Sequence, residues 1–344
     1  MPIACANFVV RCPSPVAIRS DAFRLRRLVC KLRLRSFPLV VPESLPAILY
    51  TIVMTQFYRR YRTLLLLPLL LALAACSPIA LLNLVISEDG YKKTADINYG
   101  DAPRNQLDVY TPDSEPAGAP VVVFFYGGNW EHGARGEYLF VAEALTSRGF
   151  VTVVPDHRLY PEVRFPVFLE DSARAVKWVK DNIASHGGDP ERIFLMGHSS
   201  GAYNAAMLAI DGRFLRNAGI DAATLNGFIG LAGPYDFLPL SSNTLKAIFN
   251  TPQGLEKTQP INFVSGNEPP MLLLHGSSDE TVRPRNSSRL AARVRERGGE
   301  VTHIVYDDVS HVRIVGALAS PFRDWAPVLD DVARFIRAHA NAKG

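Results

Sequence analysis

The chain has 344 residues, 48% of them hydrophobic and 20% charged, a globular rather than a disordered composition. Its net charge of +4 is unevenly placed. Residues 1–75 carry eleven Lys/Arg against two Asp/Glu and the remainder 26 against 31, so the body of the chain is acidic by 5 and gives no basis for nucleic-acid binding. The four cysteines, Cys5, Cys12, Cys30 and Cys76, all precede residue 77, which excludes a disulfide framework, a thiol nucleophile or a cysteine-held metal beyond that point. The histidines show no ligand spacing on one helix, so no metal or cofactor is expected.

Near the N-terminus, Arg59-Arg60-Tyr61-Arg62 precedes the leucine-rich run 64–73 and then Ala74-Ala75-Cys76-Ser77. A basic segment, an apolar core of about ten residues and small residues before a cleavage point predict a secretory signal peptide. Leu73-Ala74-Ala75-Cys76 also resembles the bacterial lipobox, which implies cleavage before Cys76, lipid attachment there, and a place in a bacterial cell envelope on the membrane face turned away from the cytoplasm. Met54 lies 22 residues before Cys76, a normal signal length, so residues 1–53 are expected to be an upstream extension, 54–75 the signal peptide and 76–87 a tether. The alternative is an uncleaved anchor over residues 64–86, weakened by Pro68, Pro78 and Asn83.

From residue 88 to 344 a single domain is expected, with strands and helices alternating. Strands are predicted at 106–110, 121–126, 150–154, 193–196, 227–231, 271–274 and 301–306. Helices are predicted at 139–147, 165–186, 202–210, 284–297 and 325–339. Val121 to Tyr126 is apolar throughout, as a strand buried on both faces must be. Leu169, Ala173, Val176, Val179 and Ile183 recur at helical spacing. This is an α/β pattern: a mostly parallel central sheet with helices on both faces. The irregular stretch 241–268 is expected to pack as a partial cap near the site.

In such a sheet the working residues sit where strands end. Ile193 to Met196 runs into Gly197-His198-Ser199-Ser200-Gly201, a G-x-S-x-G turn between strand and helix that lifts the Ser199 hydroxyl clear of the sheet. A serine hydroxyl needs an imidazole to take its proton, and an imidazole needs a carboxylate to hold its tautomer. His311 follows the last strand, and Asp279 follows strand 271–274; Asp236, after strand 227–231, is the rival acid. Backbone amides of Ser200 and of the Gly-Gly turn, at Gly128 or Asn129, are candidates for the oxyanion hole. His198 and Trp130 are expected to line the substrate pocket, with Tyr203 a further possible wall. His275, before the acid loop, is expected to pack or hydrogen-bond rather than react, and His303 and His339 to be structural or solvated.

On these motifs the chain resembles the esterase/lipase branch of the α/β-hydrolases, which includes hormone-sensitive-lipase-like carboxylesterases, kynurenine formamidases and prenylcysteine methylesterases. Asp156-His-Arg-Leu-Tyr-Pro161 resembles the branch's D-Y-R-L-x-P element, Gly188-Asp-Pro-Glu-Arg192 its lead-in to the elbow, and Pro269 to Asp279 its acid-bearing strand. The order Ser, Asp, His is that of the fold. Two features depart from the pattern: Tyr126 stands where H-G-G-x-W has its histidine, and no glycine shortly precedes His311. The resemblance implies a serine hydrolase of small or medium carboxylic esters that needs no cofactor. An arylformamidase on the same triad is the nearer alternative, and a non-catalytic surface binding protein the more distant one.

Overall fold

The computed structural model describes residue 83 and residues 86–114 and 118–340, all within the compact unit Ala72–Gly344. Cys76, the signal-peptide segment and the extension 1–53 lie outside the described residues. Among the described residues, no helix is long and apolar enough to cross a membrane.

Eight strands form one sheet: β1 (Tyr91–Asn98), β2 (Gln106–Pro112), β3 (Ala119–Phe125), β4 (Val151–Pro155), β5 (Gly188–His198), β6 (Gly227–Leu231), β7 (Met271–Gly276) and β8 (Val301–Tyr306). Their order is β1-β2-β4-β3-β5-β6-β7-β8. The β1–β2 and β2–β4 pairs are antiparallel, and every other pair is parallel. β1 is not legible in the sequence, because an edge strand exposed over most of its length carries no apolar run. Its register is interrupted between Thr94 and Ile97, where Asp96 takes a φ of 59°.

The period-two alternation of β3 divides the core. Val121, Val123 and Phe125 face one apolar cluster, and Val122, Phe124 and Tyr126 face the other. The first cluster is closed by α2 (Val167–Asn182), α3 (Ser200–Ile210) and α6 (Arg285–Glu296). The second is closed by α1 (Leu139–Thr146), α7 (His311–Gly316) and α8 (Val328–His339). The described residues also include two short helices, α4 (Arg213–Asn217) and α5 (Asn243–Ile248). The expected helix 165–186 is α2 followed by a 3-10 turn, and the elbow strand is longer than 193–196 because the Gly188-Asp-Pro-Glu-Arg192 lead-in is part of it.

The expected tether 76–87 is not all loose. Asn83 Nδ2 donates to the carbonyl of Gly136 at 2.7 Å, and Ile86 is buried in the second cluster. The stretch 241–268 does pack over one end of the sheet. Phe249 meets Trp130 edge-on with centroids 4.9 Å apart, and the Tyr203 hydroxyl donates to the Thr258 carbonyl at 2.8 Å.

Candidate active site

Ser199 caps α3 at φ 55° and ψ −124°, a conformation that costs a non-glycine residue roughly 1–3 kcal/mol. The surrounding backbone holds it there: the Ser199 amide donates to Leu231 O at 2.9 Å, and its carbonyl accepts from the Tyr203 amide at 3.1 Å. The glycines of the pentapeptide are required by space. A Cβ on Gly201 would lie 2.1 Å from the carbonyl oxygen of Phe125, and one on Gly197 would lie 2.4 Å from Gly201.

The three strand-end residues meet. Asp279 Oδ2 accepts from His311 Nδ1 at 2.7 Å, which leaves His311 Nε2 as the acceptor of the Ser199 hydroxyl at 2.9 Å. The tautomer needed to take the serine proton is thereby set. Asp279 is buried, and its other oxygen, Oδ1, accepts the amides of Thr281 and Val282, each at 2.9 Å. Burial acts to raise its pKa. Hydrogen bonds from His275 and His311 outweigh that and hold the carboxyl well below the usual carboxylate range. The rival acid Asp236 is instead ion-paired with Arg289 at 2.8 Å.

The turn after β3 brings Gly128, Asn129 and Trp130 beside the elbow with φ of 138°, 57° and 59°. Gly128 is obligatory there, since a Cβ would fall 2.1 Å from His132 O. The turn closes on itself through the His132 amide, which donates to Gly128 O at 2.9 Å. Among the described residues the amides of Asn129 and Ser200 have no protein acceptor, and both residues line the same cleft as Ser199.

Tyr126, in place of the family histidine, supports this turn by its own route. Its hydroxyl donates to Asp156 Oδ1 at 2.7 Å and accepts from Arg104 Nη2 at 2.8 Å; the same Arg104 nitrogen donates to Gly133 O at 2.7 Å. Asp156 also accepts the Arg135 amide at 2.8 Å and pairs with the Arg135 guanidinium. Burial, then the charge of Asp156, push the Tyr126 phenol well above its ordinary range, so it stays protonated.

The cleft has a volume of about 460 Å³. Trp130, Phe237, Leu245 and Val282 give it apolar walls; Glu280, Arg283 and Arg285 are its charged residues. Trp130 is fixed by its Nε1 donating to Asn204 at 3.0 Å. His198, expected in the pocket, is not among the lining residues. It is buried behind His311, with its Nε2 2.9 Å from the His311 carbonyl, because the x of G-x-S-x-G is still a strand residue pointing into the fold. Tyr203 likewise lies under Trp130 rather than in the cleft. Leu245 comes from the stretch 241–268 expected to cap the site, whereas Phe237 and Val282 are not among the residues expected there. The signal available for Phe237 was Gly233-Pro-Tyr235 following a buried strand at the working edge of the sheet. Among the described residues, no three His, Cys, Asp or Glu side chains are grouped to hold a metal.

The BD-FAE family model matches residues 107–294, a span that runs from β2 to α6 and takes in Ser199 and Asp279. The chain belongs to the BD-FAE family. This BD-FAE chain is 30% identical over 247 residues to a probable isoprenylcysteine alpha-carbonyl methylesterase of Oryza sativa, covering 65% of this chain and 58% of that one. It is 30% identical over 232 residues to Esterase LipQ of Mycobacterium tuberculosis, covering 60% and 53%. It therefore spans little more than half the length of these relatives. In fold, it is similar to Thermogutta terrifontis esterase 2 (TM-score 0.61, 21% identity, 74% of this chain and 96% of that one). It is also similar to esterase B from Lactobacillus rhamnosis (TM-score 0.68, 16% identity, 87% and 98%). The architecture is thus that of the α/β-hydrolase esterases.

Proposed function

We propose that this chain is a serine hydrolase of carboxylic esters working through an acyl-enzyme. The observation that carries the proposal is the unbroken relay from Ser199 Oγ to His311 Nε2, 2.9 Å, and from His311 Nδ1 to Asp279, 2.7 Å, opening onto a cleft. Ser199 attacks the ester carbonyl as His311 takes its proton, and Asp279 stabilises the imidazolium. The amides of Ser200 and Asn129, with Gly128 beside them, receive the oxyanion; one such donor is typically worth ~10²–10³ in turnover. His311 returns the proton to the departing alcohol, and the cycle repeats with water to release the acid. The plant and mycobacterial relatives, a probable methylesterase and an esterase, support ester rather than amide cleavage. The cleft volume and its aromatic wall support a short-to-medium acyl or small aromatic ester.

The test is a panel of p-nitrophenyl esters of increasing chain length beside N-formylkynurenine, with fluorophosphonate labelling of wild type and Ser199→Ala. Ester turnover and labelling lost in Ser199→Ala are expected. A folded wild type that takes no label overturns the proposal, and preference for the formamide moves it to the arylformamidase.

The same proposal puts the domain on a bacterial envelope membrane through lipid on Cys76, supported by the basic, leucine-rich and small-residue pattern before that cysteine. Radiolabelled palmitate incorporation that persists in Cys76→Ala overturns this part.

A further inference from the structure

Asp279 receives more donors than the relay needs. Besides His311, its Oδ2 lies 3.1 Å from Nε2 of His275, a fully buried histidine at the end of β7. The same Nε2 lies 2.8 Å from the carbonyl of Val282. A carbonyl can only accept, so Nε2 carries the proton and donates it to Val282 O, with the carboxylate oxygen alongside. The other ring nitrogen, Nδ1, lies 2.7 Å from the Ser287 hydroxyl on α6 and, in the neutral ring, accepts from it. Both ring nitrogens are thus used, and the Val282 carbonyl fixes the tautomer. Asp279 takes three hydrogen bonds, two amides on Oδ1 and His311 on Oδ2, and Nε2 of His275 makes a fourth, longer contact with Oδ2.

We propose that His275 is a positioning residue of the hydrolytic site, one that shares the Oδ2 charge of Asp279 and so limits how tightly the carboxylate holds the His311 imidazolium. A carboxylate that gripped His311 harder would make it a stronger base but a poorer acid, and both halves of the reaction use His311 in both senses. Through Val282 and Ser287 the histidine also ties β7, the acid loop and α6 together around the carboxylate. The other ionisable groups facing this pair are few. His198 lies behind His311, and His303 comes from the adjacent strand β8, paired in register with Leu273; burial pushes both below the ordinary histidine range, so both rings are neutral beside the pair.

The proposal rests on the ester-hydrolase reading, and its test separates the two. In His275→Phe, kcat on a p-nitrophenyl ester should fall about tenfold with KM little changed, because His275 does not line the cleft. The acid limb of kcat/KM should move to higher pH, since Oδ2 is left to His311 alone. His275→Gln, whose amide N–H can reach the same oxygen, should restore most of both. Without substrate, the low-field proton resonance of His311 Nδ1–H should move further downfield in His275→Phe and return in His275→Gln. A wild type with no esterase activity would defeat the ester reading, while the resonance still tests the sharing. Folded His275→Phe and His275→Gln that lose only melting temperature, with resonance and acid limb unmoved, would overturn the role given to His275.

Discussion

His198 stands directly behind His311, its Nε2 donating to the His311 carbonyl at 2.9 Å with the ring centroids 4.8 Å apart. The residue before Ser199 thus anchors the main chain that carries His311. His198→Phe removes one hydrogen bond from the His311 carbonyl, which keeps its helical partner, a loss of roughly 0.5–1.5 kcal/mol. The urea midpoint should fall accordingly, and kcat should drop while KM stays near wild type. A changed KM with unchanged kcat would return His198 to the pocket.

The elbow tolerates no added carbon. Gly201→Ala would drive a methyl against the Phe125 carbonyl, a backbone atom that has no free direction to move. Soluble yield and fluorophosphonate labelling should both collapse. Gly136→Ala, where a Cβ meets nothing within 4 Å, should behave as wild type and serves as the control.

Tyr126 supports the turn proposed to hold the oxyanion, so Tyr126→Phe should weaken that turn without touching Ser199, His311 or Asp279. It removes a donor from Asp156 and an acceptor from Arg104, and a loss of about 1–3 kcal/mol in stability is expected. Turnover should fall by about tenfold with KM nearly constant, as the Asn129 amide is less firmly placed. Equal stability to wild type by urea unfolding would contradict this account.

Acid should destabilise the fold in two stages. Burial pushes His157 down from 6.5 to about 4, and burial with the neighbouring His311 pushes His198 down to about 3. Below about pH 6.5 the unfolded chain takes up protons that the native rings refuse, so stability falls as pH drops, by up to about 1.4 kcal/mol per pH unit for each histidine. Asp279 is depressed too. Its contribution is present above the ordinary carboxylate range and is lost only as pH falls through its lowered value, after the histidine stage. Urea midpoints at pH 7.5, 6 and 5 should decline in order, and His157→Phe should flatten the decline. A midpoint constant from pH 7.5 to 5 would rule out buried neutral histidines.

The sequence by itself determined the parts that are local. An apolar run ending in Gly-His-Ser-Ser-Gly can only be a buried strand turning sharply into a helix, and the acid and base follow their own strands in the order the fold requires. The unbroken apolar run from Val121 to Tyr126 likewise requires that the sheet be covered on both faces. Contacts between segments distant in the chain were decided by the tertiary structure alone. It put His198 behind His311 across 113 residues rather than in the cleft, and gave Tyr126 the Arg104 and Asp156 partners that replace a family histidine. It also set His275 against Asp279 in a loop whose fold the four-residue spacing does not announce. β1 escaped because an exposed edge strand has no burial pattern to betray it. Periodicity records which face of an element is buried, since each residue pays that cost locally. It does not record which distant side chain meets a buried polar atom, because that depends on how the sheet and helices close around it.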